Sequence, residues 1–135
     1  MINSLVDYLL QYAFDHGIGC DIEPLDTNTP PRAVIEYSLI IINSNWHKKE
    51  EIPFTIGHEI GHIMNGDIIF DCQSPSIYYP LERNADRYSV DLIFNYSLKF
   101  ENPLREPGIF IEQYGIPYRM LDYTKDIFKK NKEYL

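Results

Sequence analysis

The chain has 135 residues, of which 44% are hydrophobic, 14% aromatic and 24% charged, and its formal net charge is -8. That length suits a single domain, residues 1–135, and the apolar share suits a packed core, which excludes the disordered and fibrous classes. Twelve basic residues against twenty acidic ones leave no surplus of Lys and Arg for phosphate groups, so no direct nucleic-acid contact is expected.

The charge is uneven. No Lys or Arg precedes Arg32, whereas Lys125, Lys129, Lys130 and Lys132 crowd the C-terminus. On a helix those lysines complement the dipole and stay solvated. Cys20 and Cys72 lie far apart in no metal-ligand spacing and read as reduced thiols. The first ten residues carry Asp7 and no basic start, so they read as a helix rather than a signal peptide. The longest apolar run, Leu39 to Ile42, is far short of the roughly 20 residues a spanning helix needs. A soluble, cytoplasmic protein without membrane contact is the expectation.

In chain order, Ile2, Leu5, Val6, Leu9, Leu10 and Ala13 fall on one helical stripe that stops at Gly17. Cys20 to Leu25 reads as a short strand, and residues 26–31 as a loop of turn formers closed by Pro30 and Pro31. Arg32 to Asn43, rich in β-branched and aromatic residues, reads as a hairpin or one bent strand. Glu50, Glu51 and Pro53 predict the first turn of a helix that ends at Asn65-Gly66. Residues 67–79 read as a loop, and Pro80 as the start of a helix to about Leu98. Pro103, Pro107-Gly108, Gly115 and Pro117 break the remainder into short pieces before a last helix from about Tyr118 to Lys130. The order of helix, strands and then helices predicts an α+β fold.

The strongest chemical signal is His58-Glu59-Ile60-Gly61-His62, a His-Glu-x-x-His motif within the second predicted helix. Residues four apart project from one face, so both imidazoles can turn toward one metal ion. Glu59 lies about 100° around the helix from His58. It is badly placed as a ligand but near enough to take a proton from water at the site. A plain alternative, two polar histidines on a solvated face, gives Gly57 and Gly61 no purpose. Each costs about 1 kcal/mol relative to Ala in mid-helix, which implies close packing against a neighbour. Ile56, Ile60, Ile63 and Met64 are predicted to form the core stripe of this helix.

Two histidines leave a zinc site one protein ligand short. His16 ends the first helix and His47 precedes the second, and both are weaker candidates than Glu82. In Glu82-Arg-Asn-Ala85-Asp86 two like charges stand four apart, a repulsion on a bare helix. It turns into attraction if Glu82 binds the ion and Asp86 accepts the other ring N–H of a ligand histidine. The competing reading pairs Glu82 and Asp86 with Arg83 and Arg87 on a solvated face. Manganese, iron or cobalt suits such a donor set as well as zinc.

The pair His58-Glu-Ile-Gly-His62 and Glu82-x-x-Ala85-Asp86 resembles the ImmA/IrrE family of zinc metallopeptidases, a gluzincin-like branch of the zincins. The resemblance runs from the strand region near Val34 to about Phe94, with an echo in Ile116-Pro-Tyr-Arg-Met-Leu121. It implies a zincin-like domain, with a small mixed or antiparallel sheet packed against an active-site helix, a glutamate helix and further helices. It implies that His58, His62 and Glu82 hold zinc, that Glu59 is the catalytic base, and that Asp86 orients a ligand histidine. It also implies a bacterial or phage setting, in which a helix-turn-helix transcriptional repressor is cleaved to relieve repression. The chain looks like a minimal, stand-alone form of the family. Where the family continues its glutamate helix with Phe-Ala, this sequence has Asp86-Arg-Tyr-Ser-Val90.

Chemistry of that kind also needs a donor for the developing oxyanion, and Tyr78, Tyr79 and Tyr114 are candidates. Ala33 to Asn43 is the expected sheet edge on which a substrate strand adds. The competing function is a non-catalytic binding module, pinned by the metal, that sequesters a repressor or pairs with an antitoxin-type partner. Glu59 speaks against it, since a structural site has no use for a base beside its ligand.

Overall fold

A computed structural model describes residues 2–68 and 74–132. Among these residues the chain forms five α-helices and one three-stranded mixed sheet, an α+β arrangement. Helix α1 (Ile2–Asp15) buries Leu5, Leu9 and Ala13 completely, with Val6 and Leu10 half-buried beside them. From Leu5 to Ala13 its stripe is the one the sequence predicts.

Strand β1 (Gly19–Glu23) runs parallel to β3 (Leu39–Asn43), and β2 (Arg32–Val34) pairs antiparallel with the other side of β3. The order is therefore β1-β3-β2. A 3-10 turn at Ile35–Tyr37, closed by Ser38 at a positive φ of 46°, separates β2 from β3. The expected hairpin is present. The expected open edge is shorter than the sequence suggests, because β3 is covered on both sides and, of the strand residues in Ala33 to Asn43, only Ala33 and Val34 lie at an edge.

A 3-10 turn at Lys49–Glu51 leads into α2 (Ile52–Met64). The next helix, α3 (Pro75–Ser97), begins at Pro75, with Pro80 inside it. Either proline suits a first helical turn, but Pro80 stands five residues past Pro75 and only forgoes the bond its N–H would give to Ser76. Of the predicted loop, residues 69–73, with Cys72, lie outside the described residues. Helix α4 (Pro107–Gln113) is capped by Glu106, whose carboxylate accepts the N–H groups of Gly108 and Ile109 at 3.1 and 2.8 Å. The last segment opens as a 3-10 turn (Tyr118–Met120) and continues as α5 (Leu121–Lys130), with Lys129 and Lys130 exposed.

Helices α2 and α3 share the most extensive interface. Gly57 and Gly61 make it possible: a Cβ on Gly61 would stand 2.9 Å from Tyr88 Cβ and 3.1 Å from Ala85 Cα, and one on Gly57 would stand 2.9 Å from Ser89 Cβ. Ser89 then donates its hydroxyl to the Phe54 carbonyl at 2.7 Å. Ile56 and Ile60 are buried and Ile63 half-buried, as the core stripe requires. Met64, in the last turn of α2, is 39% exposed and belongs to the surface instead. Phe94, Phe110 and Phe128 meet with ring centroids 5.3–6.1 Å apart and join α3 to the C-terminal helices. No described helix is long and apolar enough to cross a membrane.

Candidate metal centre

His58 and His62 project from one face of α2 toward Glu82 on α3, and the close α2–α3 contact at the two glycines brings that carboxylate within reach. One ligand atom from each of the three residues lies within 4.8 Å of the other two. His58 Nε2 stands 3.1 Å from His62 Nε2 and 3.6 Å from Glu82 Oε1, and His62 Nε2 is ion-paired with Glu82 Oε2.

The far nitrogens fix the rings. His58 Nδ1 donates to Asp86 Oδ1 at 2.8 Å, and His62 Nδ1 donates to Asp67 Oδ2 at 3.1 Å. A carboxylate only accepts, so each Nδ1 carries a proton, and each neutral ring keeps its lone pair on Nε2. Two Nε2 lone pairs and a carboxylate oxygen therefore face one another. Glu82 Oε2 is shut off from solvent, against His62 Nε2. Three converging acceptors are held together by positive charge, and two imidazole nitrogens with one carboxylate oxygen are a donor set that zinc accepts. The residues fit a divalent cation.

Without such an ion, protons fill the role. Burial disfavours the charged form of His58, but the carboxylates of Asp86, Glu82 and Glu59 outweigh it and push its pKa up to about 10. His62 is raised in the same way, with burial overcome by Glu82 and Asp67. Glu82 and Asp86 are lowered, since hydrogen bonds and charge from the histidines, joined at Asp86 by Arg119, overcome burial.

Glu59 is 8% exposed, with Oε2 4.0 Å from His58 Nε2. Burial pushes its carboxyl up to about 7, against the pull of the two histidines and of a hydrogen bond from the Ala33 backbone. Glu59, His58, His62 and Glu82 open into a cleft of about 870 Å³ whose opposite wall is the segment from Pro30 to Glu36.

The three candidate phenols separate. Tyr78 lines the cleft, and its hydroxyl donates to Glu82 Oε1 at 3.3 Å. The Glu82 charge, with burial, raises its pKa, so the phenol keeps its proton. Tyr79 is 65% exposed and lies outside the cleft lining. Tyr114 is buried against Phe110 and Tyr96, with centroids at 5.1 and 6.1 Å, and belongs to the aromatic core of the C-terminal helices. Of these three phenols, Tyr78 alone has its hydroxyl at the site.

His16 bonds its Nδ1 to the Tyr12 carbonyl, and His47 bonds to the Thr27 carbonyl; neither joins the cluster. Glu82 and Asp86 turn inward rather than pairing with Arg83 and Arg87, which are exposed. Two participants escape a reading of the motifs. Asp67 follows the helix-ending Asn65-Gly66, and a carboxylate beside a helix stop is an ordinary turn residue. Arg119 reaches Asp86 from 33 residues away, a distance at which periodicity carries no information.

Comparison with protein-family models, with curated proteins and with solved structures yields no match to this chain.

Proposed function

We propose that this chain is a zinc-dependent endopeptidase with a zincin-like site of the ImmA/IrrE type, in which Glu59 is the catalytic base. The observation that carries the reading is the pairing of two different environments on one helix turn. His58 and His62 converge with Glu82 on a cation site, while the neighbouring Glu59 is a buried carboxyl outside the ligand set, pushed up to about 7 and open to the same cleft. A structural metal site needs only the first of these.

A divalent cation bound there would supply Lewis acidity, which acidifies water and polarises a peptide carbonyl. The protein's own groups do the rest. Glu59 accepts a proton from water and returns it to the leaving amine, a role suited to a carboxyl pushed up to about 7. Tyr78 keeps its phenolic proton and can turn it from Glu82 to a developing oxyanion. Asp86 and Asp67 keep Nε2 of both histidines directed at the ion.

The substrate we propose is a helix-turn-helix repressor in a bacterial cytoplasm, cleaved to relieve repression by a cell or a mobile element. The support is the resemblance of the two motifs, together with an acidic chain of charge -8 that complements a basic DNA-binding partner. The test is incubation of zinc-loaded protein with helix-turn-helix repressors, read by gel and mass spectrometry, beside Glu59→Gln. Cleavage by the wild type and none by the variant, with zinc content unchanged in both, is the expected result. Repressor binding without cleavage, equal in both proteins, would replace the enzyme by a metal-pinned binding module.

A further inference from the structure

Arg119 stands on the 3-10 turn Tyr118–Met120, far along the chain from the two helices that build the cation site. Its guanidinium forks onto Asp86. Nε donates to Oδ2 at 3.1 Å and Nη2 to Oδ1 at 3.3 Å. Oδ1 is also the atom that accepts His58 Nδ1–H. The guanidinium carbon lies 5.6 Å from the centroid of the Phe54 ring, one turn before His58 on α2.

The two sides of this ion pair differ. The Asp86 side chain is 12% exposed and that of Arg119 is 60% exposed. The buried carboxylate thus gains a second partner, while the cation keeps most of its water and costs little to place. A carboxylate with a single donor can swivel about its terminal torsion, which is broad for an acid side chain. Two donors in a rigid fork fix its plane, and with it the plane of the imidazole that bonds to it.

We propose that Arg119 is a positioning residue for the metal centre: by clamping Asp86 it aims His58 Nε2 at His62 and Glu82. The proposal rests on the reading of His58, His62 and Glu82 as metal ligands. It links the C-terminal segment to the site, so that docking of the Tyr118–Met120 turn completes the ring of groups around the ligands.

The test is the zinc dissociation constant, by competition with a chromophoric chelator, for wild type, Arg119→Ala, Arg119→Lys, Asp86→Asn and the double variant Arg119→Ala/Asp86→Asn. Arg119→Ala is expected to weaken zinc about tenfold, the lower end for a partner behind a ligand. Arg119→Lys should recover only part, because an ammonium lacks the planar fork. On the Asp86→Asn background, removal of Arg119 should change affinity less than about twofold, since residues acting through one another are not additive. Arg119→Gln keeps two side-chain methylenes and loses the charge, so it carries the same test if truncation to Ala unfolds the chain. Wild-type zinc affinity in Arg119→Ala and Arg119→Gln would overturn the proposal and leave the metal reading standing. So would an equal loss with and without Asp86. A wild type that takes up no zinc would overturn both.

Discussion

Asp67 accepts the Nδ1 proton of His62 because the turn that ends α2 folds the chain back over its own last carbonyls. The Gly66 N–H bonds to the Ile63 carbonyl at 3.0 Å and the Asp67 N–H to the His62 carbonyl at 3.0 Å, with Gly66 at a φ of 67°. This is the Schellman arrangement. The same closure that satisfies the helix end thus brings a carboxylate to the far side of His62, one of the three clustered residues, at 3.1 Å.

Asp67→Asn is therefore expected to weaken zinc binding roughly 10–100-fold, as loss of a carboxylate behind a metal-bound imidazole does. Gly66→Ala should cost about 1 kcal/mol or more through the left-handed conformation it forces on a side chain, and should weaken zinc as well. Chelator competition reads the first effect and thermal unfolding the second. Full zinc affinity in Asp67→Asn would remove Asp67 from the site.

Metal binding should depend on pH in a stated direction. In the metal-free protein His58 is pushed up to about 10 and Glu59 to about 7, from ordinary values of 6.5 and 4.5. Both shifts are upward, so the stability these groups contribute is fully present below the ordinary values and is lost as pH rises through about 7 and then about 10. Glu82 and Asp86 are lowered, and theirs is lost only as pH falls through the depressed values. A cation takes the place of the histidine protons, so its affinity should climb over the same interval, up to about tenfold per pH unit for each proton displaced. The Tm difference between zinc and EDTA samples should widen from about pH 6 to about pH 9. A difference that narrows would contradict the ligand set.

Gly61→Ala separates helix propensity from packing. Alanine is the better helix former by about 1 kcal/mol. Its Cβ would nonetheless press on Tyr88 Cβ and Ala85 Cα across the α2–α3 contact. Net destabilisation of roughly 1–2 kcal/mol is expected, with weaker zinc binding because Glu82 rides on α3. A melting curve beside a zinc titration checks both, and a higher Tm would show that α3 yields freely.

Asn43, 1% exposed at the end of β3, holds the loop before β2, whose last residues, Pro30 and Pro31, line the cleft. Its Oδ1 accepts the N–H groups of Leu25 and Asn45 at 3.0 and 2.9 Å, and its Nδ2 donates to the carbonyls of Asp26 and Thr29 at 2.6 and 2.9 Å. Asn43→Ala strands these backbone groups and should cost roughly 2–4 kcal/mol. Urea unfolding with a shifted midpoint and an unchanged slope is the measurement. A loss below about 0.5 kcal/mol would show that water replaces the side chain.

Tyr78 and Tyr79 are adjacent, and only one faces the site. If the chain is a peptidase, Tyr78→Phe should lower kcat roughly a hundredfold with little change in zinc affinity, and Tyr79→Phe should leave kcat near that of the wild type. Equal rates for Tyr78→Phe and the wild type would place the oxyanion donor elsewhere.

Local pattern made α1, the strand character of Arg32 to Asn43, α2 and its stop at Asn65-Gly66 legible, because each depends on neighbours within a few residues: Leu5, Leu9 and Ala13 on one stripe, Gly66 as the residue type most at ease with its φ. The His58, His62 and Glu82 grouping followed from spacing four on one helix and a carboxylate on the next. The start of α3 was misplaced because Pro75 and Pro80 carry the same first-turn signal, and only what packs before them distinguishes the two. The extent of the sheet edge escapes local pattern for a similar reason. Whether Leu39 to Ile42 lies at an edge or at the centre depends on β1, a pairing between distant segments.

The sequence by itself determined the kind of chemistry on offer: two imidazoles one turn apart, a carboxyl beside them and a second acidic helix, all set by residue type and helical period. The tertiary structure decided which groups stand together. It brought Tyr78, and neither Tyr79 nor Tyr114, to the cleft, turned Asp86 to His58 and Asp67 to His62, and brought Arg119 to Asp86. Such choices follow from which surfaces come into contact when α2, α3 and the C-terminal turn pack, and the energy of that packing is shared by residues far apart in the chain.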